Sequence, residues 1–175
     1  MWLKRGLSLL VPVVALLPLG AAAPMPVQTT LARIPKAYQQ TWYHYDENGQ
    51  FDTVKFTAKS FRSQVKTGTL PMTDTMQLHV HQLNSSFISR RSHPSWGAAQ
   101  FDRQHRLRLT GWNQPAGTGA SYQVSVKTFH QQQLVVLSQS NAIGTWVYEH
   151  YFQSKALAKL VGNAHFPGEV YATSY

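Results

Sequence analysis

The sequence predicts a mainly β domain, an antiparallel β-barrel or strongly curved sheet of about eight or nine strands with one short helix near its end. Three observations predict it. Apolar and aromatic residues recur at every second position in several stretches, the period of a half-buried strand. Gly, Pro, Asn and Asp gather between those stretches, where chain reversals need them. One late segment, Ser154 to Gly162, carries a helix start and a helix stop.

In chain order, residues 1–23 read as a signal peptide or an N-terminal membrane anchor. Lys4 and Arg5 precede an apolar run from Leu7 to Leu19, and Ala21, Ala22 and Ala23 supply small residues for cleavage. Cleavage is expected after Ala22, because Pro24 disfavours a cut directly before it. A retained leader is the alternative, although the run is short for a span and holds Pro12 and Pro18. Residues 24–35 read as an extended linker. Residues 36–175 form a single β domain.

That domain is organised around the hairpin from Ile34 to Phe61. Thr41 to Tyr45 are β-branched, aromatic or tolerant of a pleated surface. Asn48-Gly49 provides the positive φ angles of a tight turn. Val54, Phe56 and Ala58 then alternate with polar residues, and Trp42 is placed inward as a core anchor. Further strands are expected at Phe61–Lys66, around Met76, Leu78 and Val80, and at Phe87–Arg91. Ser92 to Gln104 reads as a loop holding Trp96. Strands resume at Arg106–Trp112, at Tyr122, Val124 and Val126, at Leu134–Leu137 and at Thr145–Phe152. The expected core includes Trp42, Val54, Phe56, Leu78, Val80, Leu107, Leu109, Val124, Val126 and Trp146. The helix is too short to hold alone in water. It should dock through Leu157, Leu160 and Val161. The Thr-Trp-aromatic character shared by the first and last strands suits neighbours that close a barrel.

Ile34-Pro35, Thr41-Trp42-Tyr43, Tyr45-Asp46 and the helix Lys155–Lys159 after the last strand carry a resemblance. The pattern I-P-x5-T-W-Y-x-Y-D resembles the opening of a group of small uncharacterised exported proteins of lactic-acid-type Gram-positive bacteria. These often close with a strand and a short helix. The resemblance implies location and general shape, and no chemistry. A weaker, architectural likeness is to lipocalins, which place G-x-W on their first strand and a helix after their last. Here Gln40-Thr41-Trp42 lacks the Gly.

Chemistry is bounded by what the 175 residues contain. There is no cysteine, which excludes disulfides, thiol nucleophiles and thiolate metal sites. No nucleophile elbow, phosphate-binding glycine loop or H-E-x-x-H is present, so no catalytic residue, cofactor or metal ligand is assigned. His79 and His81 share a strand face at a metal-ligand spacing, but no third ligand follows from sequence, and they read as surface histidines. Asp102 lies among Arg103, Arg106 and Arg108, which points to local ion pairing.

Charge points outward. The chain has 16 Lys and Arg against 7 Asp and Glu; without Lys4 and Arg5, 14 remain against 7, about +7 for the mature domain. No basic helix or nucleic-acid motif appears, so nucleic acid is not expected. Arg90, Arg91, Arg103, Arg106 and Arg108 form the candidate anion-binding cluster, since guanidinium forks match phosphate. Trp96 and Trp112 are the candidate ligand-stacking aromatics. Alternation places Arg106, Arg108 and Trp112 in water, opposite Leu107 and Leu109. The expectation is a secreted or cell-surface binding domain without enzymatic activity. Its partner is either an anionic cell-wall polymer or membrane surface outside, or a small apolar ligand inside. A cell-envelope hydrolase, or an inhibitor or immunity-type partner of another protein, is the alternative.

Overall fold

The computed structural model describes residues 30–66, 71–80, 93–112, 114 and 119–172. Ten strands are present among them: β1 (Thr41–Tyr45), β2 (Phe51–Phe56), β3 (Ser60–Val65), β4 (Met72–Leu78), β5 (Trp96–Phe101), β6 (Leu107–Gly111), β7 (Ala120–Phe129), β8 (Gln132–Asn141), β9 (Trp146–Phe152) and β10 (Val170–Tyr171). Helix α1 (Lys155–Val161) follows β9, and a single 3₁₀ turn, Lys36–Tyr38, precedes β1.

Strands β1 to β9 pair in sequence order, and β1 returns to β9 through Tyr43 and Phe152, which closes the barrel. The first and last barrel strands are therefore neighbours, as their shared composition predicts. Two pairings depart from the antiparallel rule: β4 with β5, and β9 with β10, are parallel. Closure removes the open edge that a curved sheet would otherwise present.

Turn chemistry sets the registers. Gly49 takes a φ of +79°, and Asp46 Oδ1 accepts from the Gln50 N–H at 2.6 Å, so Trp42 pairs with Val54 and His44 with Asp52. Between β7 and β8 the reversal uses His130 and Gln131, both at positive φ. No glycine or asparagine marks that turn, so sequence does not reveal it, and β7 and β8 extend beyond the Tyr122–Val126 and Leu134–Leu137 stretches read from sequence.

Inside the barrel, Trp42, Val54, Phe56, Phe61, Leu107, Leu109, Tyr122 and Leu137 form the main core. Phe56 meets Phe61, Tyr122 and Tyr38 at ring separations of 5.2, 5.3 and 5.9 Å. Trp42 donates its indole N–H to the carbonyl of Tyr38 at 3.0 Å, which ties the 3₁₀ turn to the first strand. Residues 30–35, expected as linker, belong to the domain. Ile34 is buried, its N–H donates to Ala58 O at 3.0 Å, and the Leu31 N–H donates to Ala99 O at 2.7 Å.

A second core lies outside the barrel wall, where α1 covers Leu134, Val136 and Phe152 with Ala158 and Val161. Strand β8 is thus buried on both faces at Val136 and Leu137, while Val135 in the same apolar run is exposed. Ser154 caps the helix by accepting from the Leu157 N–H at 3.2 Å, and Gly162 ends it.

Several expectations are corrected. Val80, Val126 and Trp146 are exposed, because β4 stops at Leu78, the β7–β8 hairpin runs past its neighbours, and a bulge at Gln139/Ser140 rephases β9. Val124 is only half-buried. Leu160 faces water, and Ala158 takes its place in the helix contact. Trp96 begins a strand where a loop was expected. The small residues Gly97 and Ala99 of β5 hide the alternation, and Met76 lies over Gly97, leaving no room for a side chain there. The strand expected at Phe87–Arg91 lies outside the described residues.

Candidate anion-binding groove

Arg106 does not reach free solvent. Alternation does send it to the opposite face from Leu107 and Leu109, but the loop after β8 covers that face. Arg106 is 7 % exposed, pairs with Asp102 Oδ2 at 2.7 Å, and donates to Ser140 Oγ at 2.8 Å and to Gly144 O at 2.5 Å. Arg108 donates to the carbonyl of Ala142. Arg106 is thus not held out to water as expected, Arg108 is half-buried, and the expected local pairing of Asp102 is observed. Arg103 is exposed. Arg90 and Arg91 lie outside the described residues.

The two candidate stacking tryptophans do come together. Trp96 and Trp112 meet edge to face at 5.3 Å. Yet both faces of the Trp96 indole are taken. His79 stacks on it at 3.8 Å and His93 at 3.8 Å, the latter nearly parallel. Imidazoles occupy the surfaces that a sugar ring would need.

A different set of cations has the geometry of a site. On the outer face of β1, β2 and β3 lies an open groove of about 390 Å³, bounded on one side by α1. Thr41, Tyr43, Phe51, Thr53, Lys55, Arg62, Gln64, Lys66 and Lys155 line it. Register builds it in rows. Thr41 pairs with Lys55, and Lys55 with Arg62; Tyr43 pairs with Thr53, and Thr53 with Gln64. Directly paired side chains sit about 5 Å apart at Cβ. Lys155 reaches in from the helix, its Nζ 5.1 Å from the centre of the Phe51 ring and 5.9 Å from that of Tyr43.

All four cations are exposed. No ion pair joins any of them to a carboxylate among the described residues, where the pairs are Arg106 with Asp102 and Glu169 with both Lys127 and His150. The groove thus holds four positive groups, three neutral hydrogen-bonding side chains and two aromatic rings. That composition has the donors and charge to suit an anion that also carries hydroxyl groups. Sequence reasoning placed Lys55 on the polar side of its strand but did not pair it. The cue was available: a tight reversal after Phe56, with Phe56 opposite Phe61, sets Lys55 opposite Arg62.

A second polar centre fixes the chain end. Glu169 accepts from Lys127 Nζ at 2.6 Å, lies 2.8 Å from His150 Nε2, and accepts from the Tyr171 hydroxyl at 2.6 Å. Burial lowers the His150 imidazole below its ordinary value despite the carboxylate beside it. Burial pushes the Glu169 carboxyl up, but Lys127, Tyr171 and His150 together outweigh it and hold it below its ordinary value. Inside the barrel the Tyr151 hydroxyl donates to Glu149 at 2.6 Å, and burial, reinforced by that carboxylate, raises its pKa well above the usual value.

No protein-family model matches the chain, and neither a curated protein nor a solved structure matches it.

Proposed function

We propose that this is an exported, non-enzymatic binding domain whose outer groove holds a stretch of anionic, phosphate-bearing polymer of the cell envelope. One observation carries the reading: Lys55 and Arg62 are direct cross-strand partners, and neither has a carboxylate among the described residues. Like charges directly opposite each other on a sheet destabilise it. An anion bridging the two, with Lys66 and Lys155 beside it, reverses that cost. Arginine supplies a planar fork for phosphate oxygens and lysine a mobile point charge. Thr41, Thr53 and Gln64 offer partners to polyol or sugar hydroxyls.

The apolar leader and the likeness to exported proteins support the location. The lipocalin analogy would instead put an apolar ligand inside the barrel. The rings of Phe56, Phe61 and Tyr122 occupy that place, which favours the outer face.

The experiment is co-sedimentation of the domain with purified cell walls, with and without their phosphate polymers, across a salt series. Retention should depend on the phosphate polymer and fall with salt, because exposed charges are screened over about 8–10 Å near physiological ionic strength. Retention by stripped walls that ignores salt contradicts the proposal.

A further inference from the structure

The loop joining β8 to β9 is braced so that one aliphatic side chain stands in water. Ile143 is 83 % exposed. The carbonyls on both sides of it are gripped: Arg108 donates to Ala142 O and Arg106 to Gly144 O. Asn141 Oδ1 accepts from the Gly144 N–H, which tightens the same turn. Arg106 is fixed in its own place by Asp102 and Ser140. A loop held at both carbonyls does not fold its isoleucine back onto the barrel, so the favourable burial of that side chain is forgone in the free protein.

The neighbouring surface has matching chemistry. Trp146 and Tyr148 flank Val147 on β9 and are 51 % and 49 % exposed. Val170, the parallel partner of Trp146, is exposed beside them. An aliphatic tip backed by Trp and Tyr suits the boundary of a bilayer, where amphipathic rings settle at headgroup level. Charge agrees. The turn that braces the loop exposes Arg103 and His105, and its one carboxylate, Asp102, is committed to Arg106. The chain as a whole carries a formal +9, which favours anionic headgroups. The signal peptide or anchor expected at residues 1–23 would also bring the chain to a membrane.

We propose that the β8–β9 loop is a membrane-contact wedge: Ile143 enters the acyl boundary of an anionic bilayer while Trp146 and Tyr148 lie at headgroup level. The wedge is built from different residues than the polymer groove on β1 to β3, so either assignment can fail alone.

The test uses residues 24–175, which contain every residue of both core clusters. The probe is a set of vesicles of phosphatidylglycerol mixed with phosphatidylcholine, or of phosphatidylcholine alone, with brominated acyl chains to quench nearby indoles. The domain should bind the anionic vesicles with quenching, and Trp146→Phe should remove most of that quenching. Ile143→Ser should weaken binding about tenfold with no change in thermal midpoint. Lys55→Ser with Arg62→Ser should keep the quenching. Unchanged binding by Ile143→Ser, absence of quenching, or indifference of the unmodified domain to vesicles overturns the proposal. Quenching that disappears only in the groove variant overturns it too.

Discussion

His44 Nδ1 lies 3.0 Å from the backbone carbonyl oxygen of His150, and this contact strengthens the seam where the barrel closes. Only one ladder pair, Tyr43 with Phe152, joins β1 to β9. The next position inward is His44, whose ring donates where the ladder has ended and packs 5.7 Å from Tyr151. The donor must be Nδ1–H, so the bond also selects the tautomer.

His44→Ala should therefore destabilise the domain by about 1–3 kcal/mol, the loss of a buried hydrogen bond and of ring packing. His44→Asn, which keeps a donor near the carbonyl, should recover part of that. Urea midpoints for the two variants decide it; equal midpoints for wild type and His44→Ala would mean that the seam does not need the imidazole.

Acid should loosen the chain end before it unfolds the barrel. The folded His150 has a pKa below its ordinary 6.5, so its contribution is complete above that pH and is lost as pH falls through the folded value. Glu169 is depressed below its ordinary 4.5, so its contribution is present above that pH and fades lower still. Both signs point the same way. Thermal midpoints should decline as pH drops below about 6.5, and His150→Gln should flatten the upper part of the decline. A midpoint that rises between pH 6.5 and 5 would contradict this.

Trp42→Ala should cost roughly 3–5 kcal/mol, because it removes a fully buried indole and the bond to Tyr38. The loss should appear as a lower denaturant midpoint and as faster amide exchange in the Lys36–Tyr38 turn.

Much of this architecture was legible in the sequence. Period-two patterning located the first three strands, and Ser154 and Gly162 bounded the helix. Trp42, Val54, Phe56, Leu107 and Leu109 are buried as their alternation requires. The misses have physical reasons. Gly97 and Ala99 carry too little side chain to show a period, and a strand needs none where a methionine from its neighbour fills the space. Trp146 reads as core because its strand alternates cleanly, and a bulge between Gln139 and Ser140 is invisible in composition. Arg106 was placed in water for a related reason. Five arginines close in sequence look like a cluster, yet Arg106 and Arg108 are spent on the β8–β9 loop. The cations that converge, Lys55, Arg62, Lys66 and Lys155, are scattered in sequence and meet only through strand register and helix docking.

Gly97→Val should show how tightly that methionine fits. A side chain at Gly97 would meet the thioether of Met76. The substitution should cost about 1–3 kcal/mol by overpacking. Met76→Ala in the same chain should return much of the loss, read as a non-additive double-mutant cycle. Additive losses would place the strain elsewhere.

If the groove takes the polyanion, its cations carry the affinity. Among the described residues no histidine lines the groove, so affinity for a linear polyphosphate should be flat from pH 6 to 8. The most direct measurement is calorimetric titration of that probe into the domain at fixed low salt, comparing Lys55→Ser with Arg62→Ser against Arg103→Ser. The groove double variant should bind about tenfold or more weakly, roughly 1.4 kcal/mol or more, with a thermal midpoint no lower than that of wild type, since a like-charge pair is removed, while Arg103→Ser stays close to wild type. Equal affinity in all three proteins, or a loss confined to Arg103→Ser, would contradict the account.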